Sequence, residues 1–124
     1  MKRNSALGLL VLRIGMAGLL LTHGIPKFLA FIGGDMSVVG DPIGLGGLIT
    51  TILVLLGELV APILIIIGIK TRFAAVVSGI TMAVAAFVVH GADPLAKKEM
   101  ALLYLIGFIA IALMGAGSIS VDRK

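Results

Sequence analysis

Four apolar runs, each close to the thickness of a bilayer and each bounded by turn chemistry, leave this chain very few ways to fold. A helix crossing a hydrocarbon core of ~30 Å needs ~20 mostly apolar residues. Residues 5–24, 45–69 and 73–90 meet or nearly meet that length, and residues 100–117 fall a little short. Gly24, Ile25 and Pro26 close the first run. Lys70, Thr71 and Arg72 separate the second from the third, and Gly91, Ala92, Asp93 and Pro94 precede the fourth. These are turn residues, and runs joined so tightly must lie antiparallel. The expected fold is all-α: one domain over residues 1–124, a transmembrane four-helix bundle running up and down, with a long first, outer loop.

That loop, residues 25–44, opens on the apolar stretch Phe28, Leu29, Ala30, Phe31 and Ile32, then turns polar and glycine-rich around Gly33, Gly34, Asp35, Gly40, Asp41 and Pro42. Its first part is expected to lie in the interface or fold back as a cap over the bundle. Irregular backbone facing lipid is excluded, because its amides would have no partners.

Composition agrees with a membrane protein. The 124 residues are 60% hydrophobic and 13% charged, whereas a soluble domain is nearer half apolar and a quarter charged. No cysteine is present, which excludes thiol nucleophiles, disulfide exchange, iron–sulfur clusters and thiolate zinc sites. The net charge of +4 is not a nucleic-acid signal, because the basic residues are scattered over the ends of the chain and its short turns. Their distribution speaks instead to orientation. Lys2, Arg3, Lys70, Arg72, Arg123 and Lys124 fall on one side, against Lys27, Lys97 and Lys98 on the other. The positive-inside rule therefore places both termini in the cytoplasm. Lys2 and Arg3 ahead of an apolar stretch resemble a signal peptide, but the run is too long, contains Arg13 and lacks a small-residue cleavage pattern, so it is expected to be retained.

Glycines recur inside the runs, at Gly8, Gly15, Gly18, Gly57, Gly68, Gly79, Gly107 and Gly115. Small residues let helix backbones approach closely in lipid, and packing is their expected role. The first and third runs also share an echo: His23, Gly24, Ile25, Pro26 against His90, Gly91, Ala92, Asp93, Pro94. A duplicated helical hairpin would produce it.

Ionisable groups in the wrong solvent mark the candidate sites. A charge at mid-bilayer costs ~2.5 to 3.5 kcal/mol and should face the bundle interior with a partner. Arg13 lies roughly 12 Å, and Glu58 roughly 16 Å, from the cytoplasmic end of its own helix at 1.5 Å per residue. The matched depth and opposite sign predict a buried Arg13–Glu58 ion pair between adjacent helices. Pro62, one turn beyond Glu58, frees a backbone carbonyl beside it. A second constellation gathers at the outer face, where His23 and Lys27 end the first run, His90 ends the third and Glu99 opens the fourth.

Imidazole and amine donors beside an apolar cavity suit the carbonyl oxygens of a quinone, and His with Glu can exchange the protons that accompany its reduction. Two histidines on parallel helices also suit a bis-imidazole haem, but both sit near water and no second pair exists. His23, His90 and Glu99 are metal-ligand types without diagnostic spacing, so no metal site is assigned. No catalytic residue is assigned either. The ligand-binding candidates are Arg13, His23, Lys27, Glu58, His90 and Glu99.

At these residues the sequence resembles a known family. Arg13 with Gly15 and Gly18, the stretch Thr22, His23, Gly24, Pro26, Lys27, then Gly57, Glu58, Pro62 and Gly68 are similar to the DoxX proteins, small four-helix membrane proteins. So are Thr71 and Arg72 opening the third run, His90, Gly91 and Glu99, and the closing Gly115, Gly117, Ser118 and Asp122. The resemblance implies a multi-pass protein of the bacterial cytoplasmic (inner) membrane, linked to redox systems. Some relatives are subunits of thiosulfate:quinone oxidoreductases, and others are tied to thiol and oxidative-stress handling. Three functions stay open: a redox-complex membrane subunit that binds quinone or docks a partner, a small transporter using an Arg–Glu relay, and a non-catalytic adaptor. The expected partners are the lipid bilayer and other redox-complex subunits, with no nucleic acid. A transporter of this size would further call for a homo-oligomer, since four helices enclose little lumen.

Overall fold

A computed structural model describes residues 2–35 and 44–122, with side chains from residue 5 onward. Gly40, Asp41, Pro42, Arg123 and Lys124 lie outside the described residues. Four antiparallel helical rods make up the described chain: α1 Lys2–Ile32, α2 Gly47–Ile67, α3 Thr71–Val89 and α4 Leu95–Met114. The expected all-α bundle is what forms, and α1 from Ser5, α2 and α3 are long and apolar enough to cross a membrane. α4 is long enough as well, but Lys97, Lys98 and Glu99 lie in its first turns.

The largest departure from the sequence expectation is α1. It does not stop at Gly24 but runs through Pro26 to Ile32. Phe28 to Ile32 therefore continue α1 rather than folding back as a cap. Pro26 removes one N–H from the helix ladder. Ending the helix there would strand the backbone of five more apolar residues, a larger penalty wherever water is scarce. α4 is likewise displaced, beginning five residues earlier than the apolar run and ending at Met114. Pro94 is its N-cap in extended conformation, whereas Pro26 lies inside a helix. The two halves of the sequence echo thus have different structures.

Ala17, Leu20, Ala61, Ile65, Ala74, Ala75, Phe108 and Ile111 fill the core between the rods. Outward-facing positions carry large apolar side chains such as Val11, Leu19, Phe73, Ile80, Leu103 and Leu113. On a protein of this hydrophobicity such a surface faces lipid. The glycines divide. A Cβ on Gly24 would overlap the Glu58 carbonyl, one on Gly57 the Thr81 side chain and one on Gly107 the Met16 side chain, so these three set close helix contacts. A Cβ on Gly8, Gly15 or Gly18 would meet nothing within 4 Å, so these three do not set close helix contacts as expected.

Two stretches widen into π-helix, Leu56–Val60 in α2 and Ala85–Val89 in α3. In the first, Ala61 N–H donates to the Leu56 carbonyl; in the second, His90 N–H donates to the Ala85 carbonyl at 3.0 Å. Pro62 has no N–H to give the carbonyls behind it. The Gly57 carbonyl instead accepts from the Ser78 hydroxyl at 2.7 Å, and the Glu58 carbonyl faces Gly24.

At the end where α1 starts and α4 finishes, the terminal end, the tail folds back and completes α2. Gly68, at φ 85°, turns the chain, and the N–H groups of Gly68 and Ile69 donate to the Leu64 carbonyl. The next carbonyls along the chain would be orphans of the helix end. Arg13 donates to Ile65 and Ile66, Val121 N–H to Ile67, and Asp122 N–H to Gly68. The Asp122 carboxylate in turn accepts from the N–H groups of Lys70 and Thr71, capping α3.

Candidate ligand-binding site

The expected Arg13–Glu58 pair does not form. Arg13 is almost wholly buried and gives its guanidinium to four backbone carbonyls: Ile65 at 3.0 Å, Ile66 at 2.8 Å, Ala116 at 3.1 Å and Ile119 at 2.7 Å. Glu58 is paired with Lys27, Nζ to Oε1 at 2.7 Å. Helical side chains lean toward the N-terminus of their own helix. On antiparallel rods this carries the Arg13 head toward the terminal end and the Glu58 head toward the opposite, loop end. Two residues matched in depth at Cα therefore diverge at their charges. Lys27 leans back down α1 and meets Glu58 leaning up α2.

Both halves of the Lys27–Glu58 pair depend on local sequence. Gly24, one turn before Lys27, lets α1 touch the α2 backbone at Glu58. The π-helical turn shifts the side chains of Leu56–Val60 from the register of a regular α-helix, and Glu58 is buried there. The pair lines a chamber of about 190 Å³, whose walls combine His23, His90, Lys97 and Tyr104 with the apolar Leu20, Met82 and Met100. His23 meets the Tyr104 ring edge-on, centroids 6.1 Å apart, and Tyr104 stacks on Phe108 at 6.2 Å. His90 Nδ1 lies 2.9 Å from Asp93 Oδ2, a contact that orients the ring.

Beside the chamber lies a groove of about 660 Å³ between α2 and α3, walled by apolar side chains such as Leu53, Val54, Ile80 and Val84. Lys27, Glu58, Ala85 and His90 line both spaces. The recess and the apolar trough thus share one charged border. Both π-helical segments line the groove, one carrying Glu58 and the other ending at Val89, just before His90. Such segments are rare and occur often at functional sites.

Of the six residues singled out in the sequence, His23, Lys27, Glu58 and His90 surround one chamber. Arg13 lies at the other end of the bundle, and Glu99 is exposed and off the chamber wall. The relay that a transporter would draw from Arg13 and Glu58 is therefore not built. Sequence reasoning missed Tyr104, Lys97 and Asp93. Tyr104 is the only tyrosine of the chain, which was the one available signal. No group of three or more His, Asp or Glu positioned for a metal ion occurs among the described residues.

Comparison with known proteins matches the DoxX family model over residues 8–91. The chain belongs to the DoxX family. Arg13, His23, Lys27, Glu58 and His90 all fall inside the matched segment of this DoxX protein, and Glu99 lies outside it. It is also 38% identical over 127 residues to an uncharacterized protein of Haemophilus influenzae, a match covering 91% of this chain and 87% of the relative. No solved structure matches it.

Proposed function

We propose that this DoxX protein is the membrane subunit of a redox system and holds a quinone head group in the chamber above the Lys27–Glu58 pair. The observation that carries this reading is the shared border: donors in a small recess beside an apolar groove that suits a hydrocarbon tail, with Lys27, Glu58, Ala85 and His90 lining both. The residues fit such a ligand. The Lys27 ammonium and the imidazoles of His23 and His90 supply hydrogen-bond donors of the kind quinone oxygens accept. Tyr104 supplies a flat ring already in an aromatic stack. A bound quinone would contribute two-electron, two-proton redox chemistry. The chain itself would bind and orient the ring, exclude water with the core around Leu20 and Met82, and hold a proton at His90, steadied by Asp93.

The cytoplasmic membrane with both termini inside is part of this proposal, supported by the excess of basic residues at the terminal end. Association with other redox-complex subunits belongs to the same proposal, and a homo-oligomer is compatible with it. The test is binding of a short-tailed benzoquinone to protein reconstituted in liposomes. Wild type should bind saturably, and Lys27→Met and His90→Ala should each weaken binding roughly tenfold, the worth of one charge-assisted hydrogen bond. Equal uptake by wild type and both variants, or none by any, would sink the reading.

A further inference from the structure

The terminal end holds a third cavity, of about 530 Å³, with chemistry unlike that of the chamber or the groove. Lys70, Thr71, Arg72 and Phe73 form one wall, and Asp122 reaches in from the tail. We propose that this cavity binds the head group of an anionic phospholipid from the leaflet that holds the chain termini, with its phosphodiester between Lys70 and Arg72.

Anion binding at this point is already built into the fold. The α3 N-terminus holds a carboxylate, Asp122, whose two oxygens accept from Thr71 N–H at 2.9 Å and Lys70 N–H at 3.1 Å. That use of a helix start follows from its exposed N–H groups and dipole. With Asp122 engaged in this way, the Lys70 ammonium and Arg72 guanidinium leave the cavity with one net positive charge. A monoanionic phosphodiester balances it. A zwitterionic head group would bring its own cation against it.

An independent observation comes from Thr71. It is 1% exposed, stands on the cavity wall, and its hydroxyl has no hydrogen-bond partner among the described residues. Buried hydroxyls are rarely left this way without a reason. The hydroxyl is closed to water, so a phosphate oxygen meets it only where the Thr71 side chain turns toward the cavity, and it then supplies the acceptor the hydroxyl lacks. The identity of the occupant as lipid rests on Phe73, 67% exposed on the same wall, which offers an acyl chain an aromatic face at the start of the apolar helix α3. Basic recesses between membrane helices recognise phospholipid head groups by this combination of charge and apolar wall.

Native mass spectrometry of the full chain, released from nanodiscs of equal phosphatidylglycerol and phosphatidylcholine, tests the assignment. Wild type should retain phosphatidylglycerol preferentially, and Arg72→Gln and Lys70→Gln should each lower that preference roughly fivefold. Thr71→Val should lower retention while leaving the lipid-free protein as stable as wild type or more so, and Thr71→Ser should restore retention. Equal retention of the two lipids, or unchanged preference in Arg72→Gln, overturns the proposal. Displacement of phosphatidylglycerol by millimolar inorganic phosphate overturns the lipid as occupant, because the site would then read phosphate alone.

Discussion

Replacing Arg13 with leucine tests the bundle at its most heavily bonded residue. The guanidinium serves four carbonyls, two of them in fully buried bonds (Ile65, Ala116) and two in part-buried ones (Ile66, Ile119). Stranding a buried carbonyl costs about 2 kcal/mol, and a part-buried one about 1 kcal/mol. The gross penalty is thus about 6 kcal/mol. Removing the charge itself recovers about 3 kcal/mol of insertion cost. Arg13→Leu should therefore lose about 3 kcal/mol in reversible unfolding from detergent. Arg13→Lys should lose nearly as much, since one ammonium has only three donors and no planar fork to span two strands of acceptors. The decisive arm adds Glu58→Gln. Because Arg13 and Glu58 share no partner, the two losses should add to within about 0.5 kcal/mol. A coupling of 1 kcal/mol or more would show that the two charges meet, and the account of divergent side chains would fail.

The remaining expectations concern backbone and tail. Gly24→Ala should cost about 1–3 kcal/mol, because the new methyl meets the Glu58 carbonyl, which cannot swing aside, while Gly15→Ala in open space should be neutral or slightly stabilising in the same unfolding assay. Asp122→Ala removes the acceptor for two N–H groups at the start of α3 and should cost about 1 kcal/mol, with faster amide exchange confined to the first turn of α3. Lys70 sits at φ 49°, so Lys70→Gly should hold or gain up to about 1 kcal/mol of stability; a clear loss would mean that its side chain, not its backbone, matters to folding.

How much of this was legible beforehand depended on which forces act locally. Four rods, their antiparallel order and their apolar faces follow from run length and turn residues, and these survive in the structure. Helix ends did not, because Gly24 and Pro26 are stop signals only where water can serve the freed backbone. Here Gly24 instead permits close approach to α2, and the helix continues. The site was half legible. His23, Lys27, Glu58 and His90 stand out as polar groups in apolar runs and do gather. Their pairing was misjudged because depth was counted along Cα positions, whereas a long side chain moves its charge toward its own N-terminus. The acceptors of Arg13 were beyond reach, since they are main-chain oxygens exposed by a helix end and by a tail that folds back from 103 residues away. Tyr104 gave no pattern, only its singularity.

The wide turns at Leu56–Val60 and Ala85–Val89 carry a consequence for how such a chain can change. Each ring of hydrogen bonds there encloses one residue more than an ordinary helical ring. Loss of a single residue at either place would let the coil tighten without rotating the faces beyond it, so the scaffold could survive while the recess between α2 and α3 changed shape. Elsewhere in these rods the same deletion would turn lipid-facing surfaces inward. The two places most open to variation in length are thus the two that border the candidate pocket, and a lineage could retune its contents there without redesigning the bundle.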